Sequence, residues 1–561
     1  MCTPAPSVAG TPDVTLATGR NFLDDWLIFL TLVVLVPGGR SLQFQAHRTS
    51  SILALALLLL PSFAGAAWYD TDWRFRKQIT IDFNQVDANL TNFPVVINLP
   101  TDAELAASAQ ADGDDILFTS SDETTKIPHE IELFVSGTGQ LVAWVNVSSI
   151  SASVDTDIYM YYGNAAVGSQ EDVSNVWDAN YVDVLHLKES PNGALDELND
   201  SSGNGNHGQT FSMGAGNSVD AVAGKGLNFV RADALDQIRV YDSASLDGTA
   251  DEGTLEFWVN FVAAPPPSTY YLIMVHSQRF SGLRGMEHAW RVDDNFFMYP
   301  NAGDPGGETF SGTTLHGFVA GLWHPVVWRW RRVPGQDHDL FTDGVSRAFD
   351  FGDNSPNWTV DATIDDWHYG GTFDRNDRWF DGSMDEIRVS NIMRSDGWIS
   401  TGHNNQSDPG NFYTLGPQTL PPLDIVKRAF WPDGTPIPTG ATIPSGVQFK
   451  YVLYINNRDI ARSDVSVRDV LDPAFLFQVG TLQADNSTIE CALASCTVAE
   501  EQAIFAAVIG AAFLSDSPDV DVASYNGGSS TVDAGDGNVA NAQLNINADA
   551  VWAMSFSVKM P

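Results

Sequence analysis

The stretch WFDGSMDEIRVSNIMRS, from Trp379 to Ser395, contains an adjacent acid pair, Asp385 and Glu386, inside a run that alternates apolar and polar residues. Such alternation predicts a β-strand. Successive side chains of a strand point to opposite faces, so the two carboxylates are expected to face opposite ways, with Arg388 on the face of Glu386. On this interpretation the pair cannot act as a facing acid and base.

Similar strand patterns extend outward from this stretch over most of the chain. Short apolar runs recur between clusters of Gly, Asp, Asn and Ser, and only DAELAASAQ, residues 102–110, indicates a short helix in the first region. Many short strands separated by turn signals predict an all-β protein. The predicted order is a β-sandwich at 68–175, a two-sheet jelly roll at 176–415, a Pro-rich linker at 416–422 and a third β domain at 423–561.

Composition limits the classes of partner. The chain has 561 residues, which is enough for two to four domains, and its 70 acidic residues against 29 basic ones give a net charge of −41. A surface of this charge repels phosphates, which argues against nucleic acid and against anionic membrane surfaces as partners.

The clearest targeting signal is HRTSSILALALLLLPSFAGAAWYD, residues 47–70. A basic start, a short apolar core and a small-residue cleavage site predict a signal peptide, with the mature chain starting near Ala67 or Trp68. Residues 1–67 are therefore assigned to targeting, and the protein is expected outside the cell or in its envelope. The upstream apolar run Trp26–Val36 is either a membrane anchor or sequence before a misplaced start, and the complete signal pattern favours the misplaced start. Membrane association is expected only through this segment, if it stays uncleaved.

Two cysteines lie near the far end of the chain. Cys491 and Cys496 are separated by four residues, and in an exported protein such a pair is expected to close a small disulfide loop. Two sulfurs without neighbouring His or further Cys make a poor zinc site.

Three resemblances to known families follow the same domain order. WYDTDWRFRKQITID, NFPVVINLP, ADGDDILFTSSDETTKIPHEIE and DTDIYMYYGN resemble domain-of-unknown-function family 2341, which implies an extracellular accessory module. DSSGNGNHG, GKGLNF, TLEFWVNF, FDGSMDEIRVSNIMRSDGWI and HNNQSDPGNF resemble, in that order, the laminin-G-like, concanavalin A-like lectin and glucanase family, although His403 stands where that family often has an aromatic residue. VQFKYVLYINN and DVSVRDVLDPAFLF resemble domain-of-unknown-function family 11, which implies an immunoglobulin-like sandwich.

The laminin-G-like resemblance also implies a structural metal. In that family a Ca²⁺ ion often joins an N-terminal loop to the acid of the strand that carries DE, a hydrophobic residue and R. Transferred to this chain, the implied ligands are Asp200, in the loop NDSSGNGNHG, and Asp385. The alternative is that the loop is an ordinary turn without a cation.

No catalytic residues are predicted. The E-x-D-x-x-E pattern of the glucanase relatives is missing, Glu256 is the sole carboxylate of GTLEFWVNF, and no G-x-S-x-G motif marks a nucleophile. The histidines show no metal-binding spacing, so each is expected to be structural. Trp328 and Trp330 lie on one face of VVWRWRR and are expected to pack inside. Trp358 and Trp379 occupy loop-like surroundings and are predicted to stack on sugar rings.

These observations predict a secreted or cell-surface binding or adhesion protein without enzymatic activity. Its expected partner is a carbohydrate, an envelope glycan above all, or a cell-surface protein. One alternative is a polysaccharide-degrading hydrolase on the same jelly roll, and another is a purely structural surface protein.

Overall fold

The computed structural model describes residues 14–15, where a two-residue strand lies (β1, Val14–Thr15), and residues 68–561 with eleven gaps. The gaps are 232–235, 250, 265–269, 277–284, 292–294, 303–310, 332–336, 353–365, 372–378, 459 and 494. The chain divides into two compact units, one of them Ala67–Pro421 and the other Pro422–Pro561 together with Met1–Ala66. The fold class is all-β, as predicted.

The first sandwich consists of two antiparallel sheets, ordered β2-β8-β4-β5 and β3-β7-β6. Its helix α1 begins after Asp102, whose carboxylate accepts the N–H groups of Glu104 and Leu105, and it confirms the predicted helix. The elements are β2 Phe75–Ile81, β3 Leu90–Leu99, α1 Ala103–Ser108, β4 Leu117–Thr119, β5 Lys126–Ile127, β6 His129–Val135, β7 Gln140–Ile150 and β8 Thr156–Tyr162.

The jelly roll follows directly, and its two sheets enclose a second core. Trp328 and Trp330, predicted to pack inside, are both fully buried there. The elements are β9 Tyr181–Leu185, β10 Gly208–Phe211, β11 Ser218–Asp220, β12 Lys225–Phe229, β13 Gln237–Val240, α2 Ala244–Asp247, β14 Glu252–Phe261, β15 Tyr270–His276, β16 Gly285–Arg291, β17 Phe296–Ala302, β18 Ser311–Thr313, β19 Trp323–Arg331, β20 Asp337–Thr342, β21 Val345–Arg347, β22 Phe351–Gly352, β23 Trp367–Tyr369, β24 Gly382–Ser390, α3 Asp396–Ser407, α4 Pro409–Phe412 and β25 Tyr413–Leu415.

The two jelly-roll sheets have different neighbours. The front sheet has the order β10-β13-β23-β15-β16-β17-β18-β22, and the back sheet has the order β11-β12-β24-β14-β19-β20-β21, with β9 also paired to β24. Helix α3 lies over β14 of the back sheet, where the His403 ring stacks on the Trp258 ring with centroids 6.3 Å apart. The residue that departs from the family pattern therefore has a packing role.

The end of the jelly roll completes the first sandwich. Strand β25 pairs with β2 as a fifth strand, and helix α3 packs against β3. The Asn405 side chain accepts the N–H of Val96 at 2.8 Å and donates to its carbonyl oxygen at 3.1 Å. The Trp398 ring meets the Phe93 ring edge-on, with centroids 4.8 Å apart.

The first sandwich and the jelly roll consequently share a hydrophobic core. One buried cluster combines Trp144 of β7 and Phe93 of β3 with Val184 of β9 and Trp398 of α3. In the predicted linker, Thr419 exchanges backbone hydrogen bonds with Arg76 of the first sandwich. Residues 67–421 thus form a single compact body.

The second unit contains the third β domain. One of its sheets has the order β26-β27-β35-β30, with β31 also beside β35. A second has the order β1-β29-β33-β32, in which β1 is parallel to β29, and β28 and β34 form a separate two-stranded sheet. Phe449, Trp552 and Phe556 are buried in its core. The elements are β26 Ile425–Phe430, β27 Gln448–Asn457, β28 Arg462–Val465, β29 Val467–Val470, β30 Leu476–Phe477, β31 Gln483–Ile489, α5 Val498–Gly510, β32 Ala523–Asn526, β33 Thr531–Ala534, β34 Leu544–Ile546 and β35 Ala550–Lys559.

Helix α5 is an addition that the strand patterns did not predict. Thr497 and Glu500 form a capping box at its start, and Phe505 packs against Phe430 with ring centroids 4.8 Å apart. Cys491 and Cys496 form a disulfide just before it, with Cα atoms 5.3 Å apart. Among the described residues, no helix has the length and hydropathy to cross a bilayer. The immunoglobulin-like resemblance of 423–561 stays a prediction.

The contact of α3 with β3 predicts a stability effect. Replacing Asn405 by Ala leaves the buried N–H and carbonyl of Val96 without partners, which costs about 2 kcal/mol of the free energy of unfolding. The control is Ser407→Ala at the exposed end of the same helix, expected to change stability by less than about 0.5 kcal/mol. Urea unfolding followed by tryptophan fluorescence measures both, and equal values for the two variants would contradict the predicted docking.

Candidate functional site

The acid pair Asp385 and Glu386 lies in a β-bulge. Three residues of β14, 256–258, lie opposite four residues of β24, 385–388, and Glu386 has a φ of 52°. A bulge redirects side chains and interrupts strand alternation. The prediction that the two carboxylates face opposite ways is therefore wrong. Glu386 Oε1 lies 2.7 Å from His186 Nδ1, and Asp385 lies near enough for the charges of Glu386 and His186 to act on its carboxyl.

These residues belong to a buried charge cluster in which five carboxylates meet three basic groups. Strand β6 of the first sandwich contributes two acids, the segment after β9 contributes two basic residues, and β14 and β24 of the back sheet contribute the rest. Only the Lys188 side chain is more than one-tenth exposed. The members are Glu130, Glu132, His186, Lys188, Glu256, Asp385, Glu386 and Arg388.

His186 is at the centre of the cluster. Its Nδ1 atom lies 2.7 Å from Glu386 Oε1 and 3.8 Å from Glu132 Oε2, and its Nε2 atom lies 3.3 Å from Glu130 Oε2. Burial favours the neutral imidazole, but the carboxylates of Glu386 and Glu130 outweigh it and raise the pKa of His186 well above its ordinary value. The ring of Trp144 stacks beside the imidazole with centroids 5.7 Å apart.

Three carboxylates of the cluster keep an unpartnered oxygen, those of Glu132, Asp385 and Glu256. Glu132 Oε2 accepts the indole N–H of Trp144 at 3.1 Å, and Asp385 Oδ2 accepts the backbone N–H groups of Val222 and Ala223, each at 3.0 Å. Glu132 Oε1 and Asp385 Oδ1 are buried without a hydrogen-bond partner. Burial first, and then the charge of Glu386, raises the pKa of both groups well above the ordinary value for a carboxyl.

Arg388 connects the cluster to helix α3. Its guanidinium lies 3.3 Å from Glu386, 3.5 Å from Glu256 and 2.9 Å from the side-chain oxygen of Gln406, and 5.1 Å from the centroid of the Trp144 ring. A cavity of about 20 Å³ adjoins this group, which is room for about one water molecule and far too little for a sugar. This cluster therefore joins two domains and offers no glycan pocket.

Asp200 lies in the predicted loop, but its oxygens already have donors. They accept the backbone N–H groups of Val184, Ser202 and Asn206 and the hydroxyl of Ser202, at distances from 2.8 to 3.0 Å. These donors fix the loop against β9 without a cation and leave the carboxylate poorly suited to Ca²⁺. The shared Ca²⁺ site of Asp200 and Asp385 stays a prediction.

The structure describes only one of the two tryptophans that are predicted to contact sugar. Trp358 lies outside the described residues. Trp379 is only 3% exposed, and its ring packs so closely on Gly371 that a Cβ atom there would come within 2.1 Å of it. Trp379 is therefore a packing residue, because its buried ring fills the space next to Gly371.

The front sheet carries a polar and aromatic surface that sequence reasoning missed. On its outer face, Gln209, Arg239 and His368 form a row across β10, β13 and β23. Tyr241, 37% exposed, donates its hydroxyl proton to Gln209 Oε1 at 2.6 Å, and the Arg239 guanidinium lies 4.5 Å from its ring centroid. Arg239 also donates to Asp366 at 2.6 Å. We call this set the Tyr241 surface.

Comparisons with known families agree with the predicted order. Residues 112–195 match the model described as domain of unknown function (DUF2341), and residues 232–400 match the concanavalin A-like lectin/glucanases superfamily. These matches confirm the first two predicted resemblances over those stretches. A search of curated proteins gave no match to the chain.

Matches among solved structures include several binding domains. Domain 4 of AbnA, a GH43 extracellular arabinanase from Geobacillus stearothermophilus, in complex with arabinotriose, is 15% identical, with 39% of this chain and 97% of that domain covered and a TM-score of 0.30. The Ruminococcus gnavus IT-sialidase CBM40 bound to alpha2,3 sialyllactose is 14% identical, with coverages of 29% and 90% and a TM-score of 0.25. The botulinum neurotoxin serotype D binding domain is 11% identical, with coverages of 52% and 75% and a TM-score of 0.31. Scores this low establish nothing about what this chain binds.

The charge cluster predicts a large effect of a single substitution. Arg388→Met leaves the buried carboxylate of Glu256 without its cation and removes one of the two basic partners of Glu386, which costs about 3 kcal/mol of the free energy of unfolding. Arg331→Met removes the more exposed ion pair with Glu252 and is expected to cost less than about 1 kcal/mol. Urea unfolding measures both, and a cost below 1 kcal/mol for Arg388→Met would show that the cluster does not stabilise the body 67–421.

Proposed function

We propose that the protein is an exported, non-enzymatic carbohydrate-binding protein that holds its glycan on the Tyr241 surface. The sequence of its jelly roll matches the concanavalin A-like lectin/glucanases superfamily, which supports a carbohydrate-binding role in general terms. The observation that carries the specific proposal is the half-exposed tyrosine on the outer face of the front sheet, surrounded by side chains with hydrogen-bonding groups.

The chemistry of this surface suits a sugar. A tyrosine ring packs on the apolar face of a pyranose, while neighbouring polar side chains bond to the hydroxyl groups at its edge. Arg239 and Gln209 hold the Tyr241 ring in place, so little conformational entropy is lost when a ligand arrives. Asp366, already paired with Arg239, adds carboxylate oxygens as acceptors.

The position of the two sheets also favours the front face. The outer face of the back sheet is buried around Trp258 and Arg388, beneath helix α3 and the first sandwich. The front sheet is thus the jelly-roll sheet whose described outer side chains include an exposed aromatic residue. A glycan therefore has no comparable access to the outer face of the back sheet around Trp258 and Arg388.

A hydrolase would need a different arrangement of acids. Glycoside hydrolysis uses two carboxyl groups on either side of the scissile bond, both in contact with the substrate. Glu256, Glu386 and Glu132 are buried in the charge cluster, so a polysaccharide cannot reach them. Their position supports a binding role for the jelly roll over a catalytic one.

Two features of the chain support the proposal that it is exported. The pattern at residues 47–67 is that of a secretory signal peptide, and the disulfide between Cys491 and Cys496 is of a kind that persists in oxidising compartments. The partner in this proposal is a glycan of the envelope or of a neighbouring surface. The resemblance of residues 423–561 to family 11 supports a spacer role for the third domain.

A glycan array with the mature chain, residues 68–561, tests the proposal. Tyr241→Ala is expected to weaken binding to the preferred glycan about tenfold, equivalent to about 1.4 kcal/mol, because the stacking surface is lost. Tyr241→Phe keeps the ring and is expected to stay within about threefold of the parent. Val345→Ala, at a residue 52% exposed on the back sheet, serves as the control without effect.

Three other results of the glycan array would contradict the proposal. Equal binding by Tyr241→Ala and the parent would place the glycan elsewhere. Release of shortened sugar from the array would favour the hydrolase. If the parent binds no glycan, with or without added Ca²⁺, the protein is the structural surface protein of the third hypothesis.

A further inference from the structure

Three buried side chains from distant parts of the sequence converge on one point. The ligand-forming atoms of Glu132, His186 and Glu386 all lie within 4.8 Å of one another. Glu132 comes from the first sandwich, Glu386 from the back sheet, and His186 from the jelly-roll segment that directly follows β9. None of the three is more than 8% exposed.

The donor atoms are of the kind that a metal of the zinc class prefers. An imidazole nitrogen and carboxylate oxygens bind such ions at about 2.0–2.2 Å. His186 Nδ1 already lies 2.7 Å from Glu386 Oε1 and 3.8 Å from Glu132 Oε2. Ligand atoms of a tetrahedral site lie about 3.3 Å apart, so each of these two distances would change by about half an ångström around an ion.

The surroundings of His186 resemble the outer shell of a metal site. Ligating histidines usually donate their second ring N–H to a carboxylate, which fixes the tautomer and the ring orientation. Here His186 Nε2 lies 3.3 Å from Glu130 Oε2, and that carboxylate is held by the hydroxyl of Ser201 at 2.7 Å and the indole N–H of Trp177 at 3.3 Å. Nδ1 is therefore the nitrogen left to face an ion.

A second, independent observation points to a missing cation. Glu132 Oε1 and Asp385 Oδ1 are buried and have no hydrogen-bond partner, although buried carboxylate oxygens are ordinarily paired. The cluster also holds more acids than bases, with five carboxylates for three basic groups. A divalent ion would supply the positive charge that these oxygens lack.

We propose that Glu132, His186 and Glu386 bind one divalent transition-metal ion of the zinc class and thereby join the first sandwich to the jelly roll. The ion takes the place of the proton on His186 Nδ1, which is released to solvent, while the proton on Nε2 stays in its hydrogen bond to Glu130. Asp385 offers a further carboxylate next to this group. The inference is separate from the glycan proposal and does not depend on it.

The donor set distinguishes this site from a Ca²⁺ site. Calcium takes six to eight oxygen ligands in a flexible arrangement, whereas this group is compact and contains an imidazole nitrogen. The ligands are contributed by rigid strands and are buried beneath two tryptophan rings, those of Trp144 and Trp177. Because the group is buried, the ion is expected to enter during folding and to exchange slowly afterwards.

The test is metal analysis of the mature chain, residues 68–561, after refolding. The protein is unfolded in denaturant with a chelator, then refolded with Zn²⁺, with Ca²⁺ or with chelator alone, and desalted. Elemental analysis is expected to find about one zinc per chain after refolding with Zn²⁺ and no retained calcium. Thermal unfolding of the parent is expected at a higher temperature with Zn²⁺ than with chelator, because the ion binds the native state alone.

The zinc content of variants at the three proposed ligands tests where the ion binds. Glu386→Gln and His186→Gln are expected to retain at least tenfold less zinc, whereas Glu256→Gln, in the same cluster but outside the three ligands, is expected to retain as much as the parent. If the ligand variants do not fold, X-ray absorption of the zinc-loaded parent decides, since a histidine nitrogen and oxygens without sulfur must surround the ion. A refolded parent without zinc, retention of calcium in its place, undiminished zinc in folded ligand variants, or sulfur ligands would overturn the proposal.

Discussion

The contact between His186 and Glu130 is the one on which the body 67–421 depends. His186 follows β9 of the jelly roll and is held there by Glu386 of the back sheet, while its Nε2 atom reaches Glu130 of the first sandwich, inside a cluster that also includes Arg388. Charges inside a protein are tolerated only while they stay paired, because each unpaired one carries a desolvation cost of several kcal/mol. Separating the two domains would therefore leave charged groups of the cluster without their partners. The shared core around Trp144 and Trp398 also holds the domains together.

This arrangement also gives the outer faces of the two jelly-roll sheets different surroundings. The back sheet supplies Glu256, Arg388 and the acid pair to the interface with the first sandwich and α3. The front sheet keeps an outer face with an exposed tyrosine, which is where the proposed glycan binds. The first domain therefore covers one sheet of the jelly roll and leaves the outer face of the other sheet for the proposed glycan.

Much of the fold could be predicted from the sequence because strands depend on local alternation and turns. The strand from Gly382, the short helix after Asp102 and the burial of Trp328 and Trp330 are examples. The bulge at Glu386 could not be predicted, since it depends on the register against β14. The acids Glu130 and Glu132 alternate on one strand, which is a detectable signal, but their partners His186 and Glu386 lie more than 50 and 250 residues away.

Calorimetry of residues 68–421 tests most directly whether the two domains form one body. If the charge cluster and the shared core couple them, the fragment unfolds in a single transition whose calorimetric enthalpy equals its van't Hoff enthalpy. Two resolved transitions, or a calorimetric enthalpy about twice the van't Hoff value, would show that the sandwich and the jelly roll unfold independently and would contradict this account.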